Sequence, residues 1–370
     1  MACSHFLNFQ PTERPSWRMI RDQNDTIPKI SEMITQILQY ENTWRRKENT
    51  NPYSAVKKHM YLEFLYQIQI GEEIGVVDGR DNFADIINNE ENFEDGTNSS
   101  QDSLPSSQDA EDLFNKKNID TRSAKKTETI NLLRGYRHLK KVLKHNDTQN
   151  EERSSYLGIL DVEVCIKKCH EILMKDVMDE NRTVPGKFSV FMRYTKFNDE
   201  KYYYPHYETE DVAHEAVQAI VDQYNKMLYE ISNDKSEGNK LENSFKCASV
   251  LLFGFLTLHP FGDGNGRLAR LLCSHCLNVF SPFPTAIYNV FSPSTRDYYI
   301  TAIVNARTNI KLSTDQIEFS TDARTEALLT LEQKPADLCS LIIESSWFTW
   351  RHFLRKIGED IPMLSFEKAD

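Results

Sequence analysis

The sequence predicts a mainly α fold, a helical bundle that carries one β-hairpin, and three observations predict it. Apolar residues recur at three- and four-residue spacing along most of the chain. One nearly all-apolar run, residues 245–258, has the character of a helix in the middle of a bundle. One segment alone, residues 187–207, has the β-branched and aromatic richness of strands, arranged around Asn198-Asp199. With 370 residues, 39% hydrophobic and 27% charged, the chain can bury a sizeable core and is too apolar to be disordered throughout.

The elements follow in order. Pro28 suits a first helical turn and puts Ile30, Met33, Ile34, Ile37 and Leu38 on one face. A second helix is expected over 56–70, and the two make an N-terminal helical extension, residues 1–87. Residues 88–112 hold eight acidic and no basic residues and almost nothing apolar, so residues 88–127 are expected to form an acidic flexible insertion. Thr127-Glu128-Thr129-Ile130 resembles an N-terminal cap opening a connecting helix, 128–155. Further helical patterns cover 130–143, 160–174, 210–231, 245–258, 268–280 and 296–308. A last one, 336–357, carries Trp347, Trp350 and Phe353 within a C-terminal tail, 309–370, expected to dock as a separate element.

Charge and composition exclude several classes. Forty-four Lys and Arg against 55 Asp and Glu give a net charge of -11, which repels phosphate backbones, so no nucleic-acid partner is expected. The longest apolar run falls far short of the ~20 residues that span a bilayer, and the first thirty residues lack a signal-like apolar core. The expectation is a soluble, unsecreted protein of the cytoplasm or nucleus, without a membrane partner. Seven cysteines, odd in number and thinly spread, favour a reducing compartment.

The chemistry concentrates in one place. After the apolar run come His259-Pro260, which end the helix, and a glycine-punctuated loop, Phe261-Gly262-Asp263-Gly264-Asn265-Gly266-Arg267. A second stripe then runs through Leu268, Leu271, Leu272, Cys276 and Val279. A helix N-terminus presents unpaired N–H groups and a positive dipole end, which together favour a phosphate. Gly264 and Gly266 let the backbone approach it. Arg267 and Arg270, three apart, can both reach an anion there. Asp263 offers a hard oxygen for Mg2+ shared with nucleotide phosphates, and His259 is placed to take a proton from an incoming hydroxyl near neutral pH. An EF-hand is excluded, since counting from Asp263 the sixth position is Leu268 and the twelfth Ser274. Cys165, Cys169 and His170, with Cys273, His275 and Cys276, could suggest zinc, but both sets sit on helices where reduced cysteine packs as a small core residue.

Residues 259–270, HPFGDGNGRLAR, match the Fic (Fido) signature HxFx(D/E)GNGRxxR without a mismatch, and the chain resembles that family over roughly 156–308. Pro185-Gly186-Lys187 and the hairpin are similar to the family's flap, and Arg296-Asp297-Tyr298-Tyr299 to a segment downstream of the signature. The resemblance implies a Fic-type helical bundle with a β-hairpin flap, and transfer of AMP from ATP to a hydroxyl side chain of a target protein, with Mg2+. It casts His259 as general base and Asp263 as metal ligand. Asn265 with the Gly264 and Gly266 amides becomes the α-phosphate cradle, and Arg267 and Arg270 the partners of the outer phosphates. Tyr298 and Tyr299 would lie near adenine or ribose, and a protein substrate would dock on flap residues 187–207, with Arg193 to Lys196 ordering it. On the same site the family also supports de-AMPylation or transfer of another nucleotide or phosphate. An inactive nucleotide-holding interaction module is the rival of a different class. The oligomeric state is open, a homodimer included.

Many members of that family carry an inhibitory (S/T)xxxE(G/N) helix whose glutamate pairs with the second arginine of the signature. No perfect copy exists here. Glu344, four residues after Ser340, leads the candidates by spacing; Glu72, Glu73 and Asp78 follow by position along the chain.

Overall fold

The computed structural model describes residues 5–18, 27–48, 53–77, 79–96, 121–148, 158–177, 183–197, 200–278, 280–288, 295–308, 318–319 and 322–364. The N-terminal helices are α1 (Ile30–Glu48), α2 (Ser54–Glu72), α3 (Arg80–Gly96) and α4 (Thr121–Thr148). A π-helical stretch, Val162–Lys167, runs into α5 (Lys168–Leu173). Then come α6 (Glu210–Ser232), α7 (Glu237–Leu258), α8 (Asn265–Leu277), α9 (Arg296–Thr308), α10 (Ala323–Leu331) and α11 (Ala336–Lys356). Strands β1 (Tyr194–Phe197) and β2 (Glu200–Tyr203) form the antiparallel hairpin, and β3 (His206–Tyr207) pairs in parallel with β4 (Glu318–Phe319).

Helix α7 is the axis of the bundle. Ser236 caps it by accepting from the Asn239 N–H, and from Ser244 to Leu258 every side chain is buried, so its composition serves the core. It is long and apolar enough to cross a membrane by length and composition, and 89% of its most apolar window is buried inside the fold. Helices α1, α6, α8, α10 and α11 pack around it. Thr209 and Asp322 cap α6 and α10 in the same way.

Three expectations change. The tail helix α11 is a core element rather than a separate one: residues 338–354 are all buried, and Trp350 and Phe353 pack edge-on against Phe283 and Trp44. It lies against α1, so the chain's two ends close one face of the bundle. Residues 88–96, assigned to a flexible insertion, continue α3, because Phe83 and Ile87 are buried and Glu90 reaches Arg134 on α4 at 2.6 Å. The rest of that stretch, 97–120, lies outside the described residues. Finally, α4 begins at Thr121, so Thr129 sits inside the helix, and its hydroxyl donates to Gln69 Oε1 at 2.5 Å instead of capping.

Candidate active site

Helix α7 ends at Leu258, and His259 takes a left-handed conformation (φ 46°, ψ 56°) while its N–H still bonds the Phe255 carbonyl. The last carbonyls of a helix have no intrahelical donor. Here each finds a side chain: Arg307 donates to Leu256 (2.9 Å) and Thr257 (3.4 Å), Tyr207 to Leu258 (2.8 Å), and Arg193 to His259 itself. This borrowed cap lets the chain turn sharply at His259. Burial lowers the imidazole pKa, and the Arg193 and Arg307 guanidiniums lower it further, against a smaller opposing effect of the Leu256 carbonyl. It lies well below the ordinary histidine range, so the ring is neutral and can accept a proton.

The loop after His259 is braced from within. The Asn265 side chain accepts from the Phe261 N–H (3.0 Å) and donates to the Phe261 carbonyl (2.9 Å), and is 1% exposed. Its amide is therefore committed to the loop rather than to a phosphate, and what Asn265 offers the cradle is its backbone N–H in the first turn of α8. Phe261 stacks on His170 at 3.6 Å between centroids. His170 Nδ1 accepts from the Gly186 N–H and must leave the proton on Nε2, which donates to the Asp263 carbonyl at 3.0 Å. Gly264, the left-handed N-cap of α8 (φ 78°), packs so closely on Met174 and His170 that a Cβ would clash.

Around this N-terminus stand the polar groups. Asp263 is 42% exposed, accepting from the Gly264 N–H (2.6 Å) and from Arg267 Nη2 (2.8 Å). Arg267 is 3% exposed, and among the described residues its buried Nη1 has no hydrogen-bond partner. Arg270 lies 4.8 Å from the Tyr299 ring centroid and 5.1 Å from that of Tyr288. Burial lowers its pKa, but Glu72 and the two phenols outweigh this and leave it raised.

Among the described residues one acid reaches this arginine. Glu72, the last residue of α2, accepts from Arg270 Nε at 2.8 Å and Nη2 at 2.7 Å. The same carboxylate fills the space beside Gly266, where a Cβ would fall on Glu72 Oε2. A carboxylate thus sits at the N-terminus of α8 among the donors expected for phosphate. Two features hold it there. Gly71 lets α2 come within contact of the Tyr288 hydroxyl, which any Cβ would strike. Beyond Glu73, itself left-handed (φ 57°), the Gly75 and Val76 N–H groups donate to Glu128 (2.8 Å) and Thr129 (3.1 Å) on α4.

The other candidates lie elsewhere. Glu344, favoured by spacing, is fully buried on α11 and accepts from Arg18 Nε at 2.5 Å and Trp17 Nε1 at 3.3 Å, so it braces the N-terminal segment and not Arg270. Glu73 is exposed and meets Arg296 at 3.2 Å. Asp78 lies outside the described residues. Tyr299 is a wall of the Arg270 pocket, whereas Tyr298 turns to Trp17, 5.9 Å between centroids, because successive helix positions face about 100° apart. In the flap, Arg193 is buried against the loop while Phe191, Met192 and Tyr194 stay exposed. Among the described residues no three His, Cys, Asp or Glu side chains gather in a metal-binding cluster. Cys165 and Cys169 are core thiols, that of Cys165 raised by burial to about 11. Tyr204, the Gln69–Thr129 clasp and the bracing role of His170, weighed in sequence only as a zinc ligand, escape sequence reasoning, since these roles exist only across distant contacts.

Residues 160–277 match the model of the Fic/DOC family. A curated relative, the ribonucleoside-diphosphate reductase small chain of Ostreid herpesvirus 1 (isolate France), is 29% identical over 150 residues, 40% of this chain; the chain spans less than a quarter (23%) of that relative's length. Among solved structures, a Fic domain containing signaling protein from Bacteroides thetaiotaomicron aligns over 90% of this chain and 99% of its own, with TM-score 0.55 and 15% identity. A Fic family protein from Desulfovibrio desulfuricans aligns over 95% and 78%, with TM-score 0.53 and 11% identity. At such identities these two speak for the fold alone. The helix, glycine loop and helix that carry His259, Asp263, Arg267 and Arg270 thus lie within the stretch, residues 160–277, that matches the Fic/DOC family model.

Proposed function

We propose that this protein transfers AMP from ATP to a hydroxyl side chain of a target protein, and that Glu72 restrains it. The observation that carries the reading is a neutral His259 at one end of a glycine loop whose other end holds Arg267 with an unsatisfied buried donor and Arg270 already paired to a carboxylate. Fic/DOC family members commonly transfer nucleotide-derived groups onto proteins, which agrees with this chemistry.

Two observations speak for phosphate here: the orphaned Arg267 Nη1, and the Glu72 carboxylate, an anion already seated between Gly266 and Arg270. Asp263, exposed at the mouth, fits a single-carboxylate magnesium site completed by water and phosphate oxygens. Magnesium bound there would offset phosphate charge. The N–H groups of the first turn of α8 hold the α-phosphate, and Arg267 and Arg270 bind the outer phosphates. The acceptor oxygen bonds to the α-phosphorus as the bond from that phosphorus to the bridging oxygen breaks. Diphosphate leaves with the bond electrons, and the hydroxyl proton passes to the His259 imidazole.

Glu72 favours a second reading on the same site. A carboxylate fixed beside the α-phosphate position can hold a water molecule, so the latched state supports removal of AMP from a modified protein. Incubation with magnesium, target extract and ATP labelled at the α- or γ-phosphate tests both. Label from the α-phosphate alone, lost in His259→Ala, supports AMP transfer; label from the γ-phosphate alone overturns it. Release of AMP from a pre-labelled target supports the second reading.

A further inference from the structure

Of the flap's contacts with the loop, which include the Ser189 N–H on the Pro260 carbonyl at 2.8 Å, two bear on His259 itself. Arg193, just before β1, donates to the His259 and Pro205 carbonyls. Tyr204, just after β2, donates its N–H to the Arg193 carbonyl at 3.0 Å, extending the hairpin ladder by one rung. The Tyr204 ring then lies flat on the His259 imidazole, centroids 3.7 Å apart and planes within 9°. Against the same tyrosine stands Arg307, its guanidinium 4.7 Å from the ring centroid, anchored in turn on the Leu256 and Thr257 carbonyls.

The left-handed backbone and Arg193 fix where the His259 side chain starts, but the torsion that turns an imidazole about its own axis is broad and roughly two-fold. Something else must set the ring plane, and the Tyr204 face is in contact with all of it. We infer that Tyr204 is the positioning residue for the His259 imidazole, holding it edge-on to the acceptor hydroxyl. This rests on the reading of His259 as the base. The plate is aromatic, so phenylalanine should serve as well and an aliphatic side chain should not.

The test uses the full chain carrying Glu72→Gly, so that the latch does not mask the rate. Tyr204→Leu should lower kcat about 10-fold or more, with KM for ATP within about twofold, as a misplaced reacting group costs up to about 10²-fold while nucleotide contacts are untouched. Tyr204→Phe should recover most of that loss. A second readout needs no activity: in histidine-labelled protein the His259 ring protons, assigned by their loss in His259→Ala, should be shifted upfield by the tyrosine face. That shift should persist in Tyr204→Phe and vanish in Tyr204→Leu. If the leucine variant does not fold, unshifted ring signals in the parent protein overturn the inference by themselves. So does an unchanged kcat in Tyr204→Leu, or an equal loss in Tyr204→Phe. Transfer by His259→Ala would instead overturn the reading of the base, and this inference with it.

Discussion

Arg270 Nε donates to Glu72 Oε1 at 2.8 Å across 198 residues of chain, and that pair places a carboxylate beside Gly266 at the N-terminus of α8, where the proposed function puts nucleotide phosphates. Arg270 is nearly buried and Glu72 about one-fifth exposed, so the pair is better shielded than a surface ion pair, and under the proposed function a nucleotide has to displace it to reach the arginine. The latch is held at its root by the α4 clasp on Gly75 and Val76, and not by the pair alone.

Glu72→Gly is therefore expected to raise auto-labelling about 10-fold, in the range of a coupling of about 1–3 kcal/mol between competing occupants. Gel-based labelling with α-labelled ATP checks it. A rate equal to the parent's would show that nucleotide displaces Glu72 without hindrance.

Glu344→Gln should behave in the opposite way. It leaves labelling unchanged and lowers the melting temperature by several degrees, because it strips the charge partner from buried Arg18, a loss of about 3–5 kcal/mol. Activation in this variant without activation in Glu72→Gly would restore Glu344 to the regulatory role that spacing suggested.

His259→Ala should lose roughly 10² to 10⁴ in transfer rate and still bind magnesium nucleotide, since the cradle lies on α8. Single-turnover labelling and calorimetry separate the two. Activity within about threefold of the parent is incompatible with a base at this position.

Asp263→Ala should abolish the magnesium dependence of nucleotide binding, and it frees Arg267 Nη2 as well. Titration of ATP with and without magnesium distinguishes the loss of a metal ligand from a general loss of affinity. Unaltered magnesium dependence moves the metal elsewhere.

The lowered pKa of His259 has two consequences for pH. The ring stays neutral below the ordinary imidazole range, so the acid limb of kcat/KM should fall below pH 6.5 rather than at it. Stability moves with it, because the unfolded chain takes up protons near 6.5 that the folded histidines refuse. His275, lowered by burial to about 4, adds to the effect. Stability should be full above about pH 7 and lost as pH falls from 6.5 towards 4. Thermal melts across that window check it, and a His275→Gln variant should flatten the decline.

Residues 259–270 were enough to place the helix, the glycine loop and the helix that follows, and the reason is local. A proline fixes where α7 stops, glycines mark where backbone must pass close, and three-residue spacing puts Arg267 and Arg270 on one helix face; all of this is decided within a dozen residues. Asn265 shows the edge of that reach, since its residue type suits a cradle and only the fold shows its amide bonded back to Phe261. The end of α3 shows it again: an acidic stretch looks solvated until Ile87 and Arg134 are seen to hold it.

The sequence by itself thus determined a helical bundle, its hairpin and the helix–loop–helix that carries residues 259–270, because periodicity, breakers and short motifs are consequences of neighbouring residues. Only the tertiary structure decided which acid faces Arg270. Local spacing favours Glu344, which has Ser340 four residues before it where Glu72 has Ile68, but α11 packs against α1 and turns Glu344 to Arg18, while α2 runs up to α8 through the notch at Gly71 and delivers Glu72. The Tyr204 plate on His259 was decided in the same way. Ion pairs and stacked rings form between whichever surfaces packing brings together, and helical spacing fixes the face a residue occupies but not the face it meets.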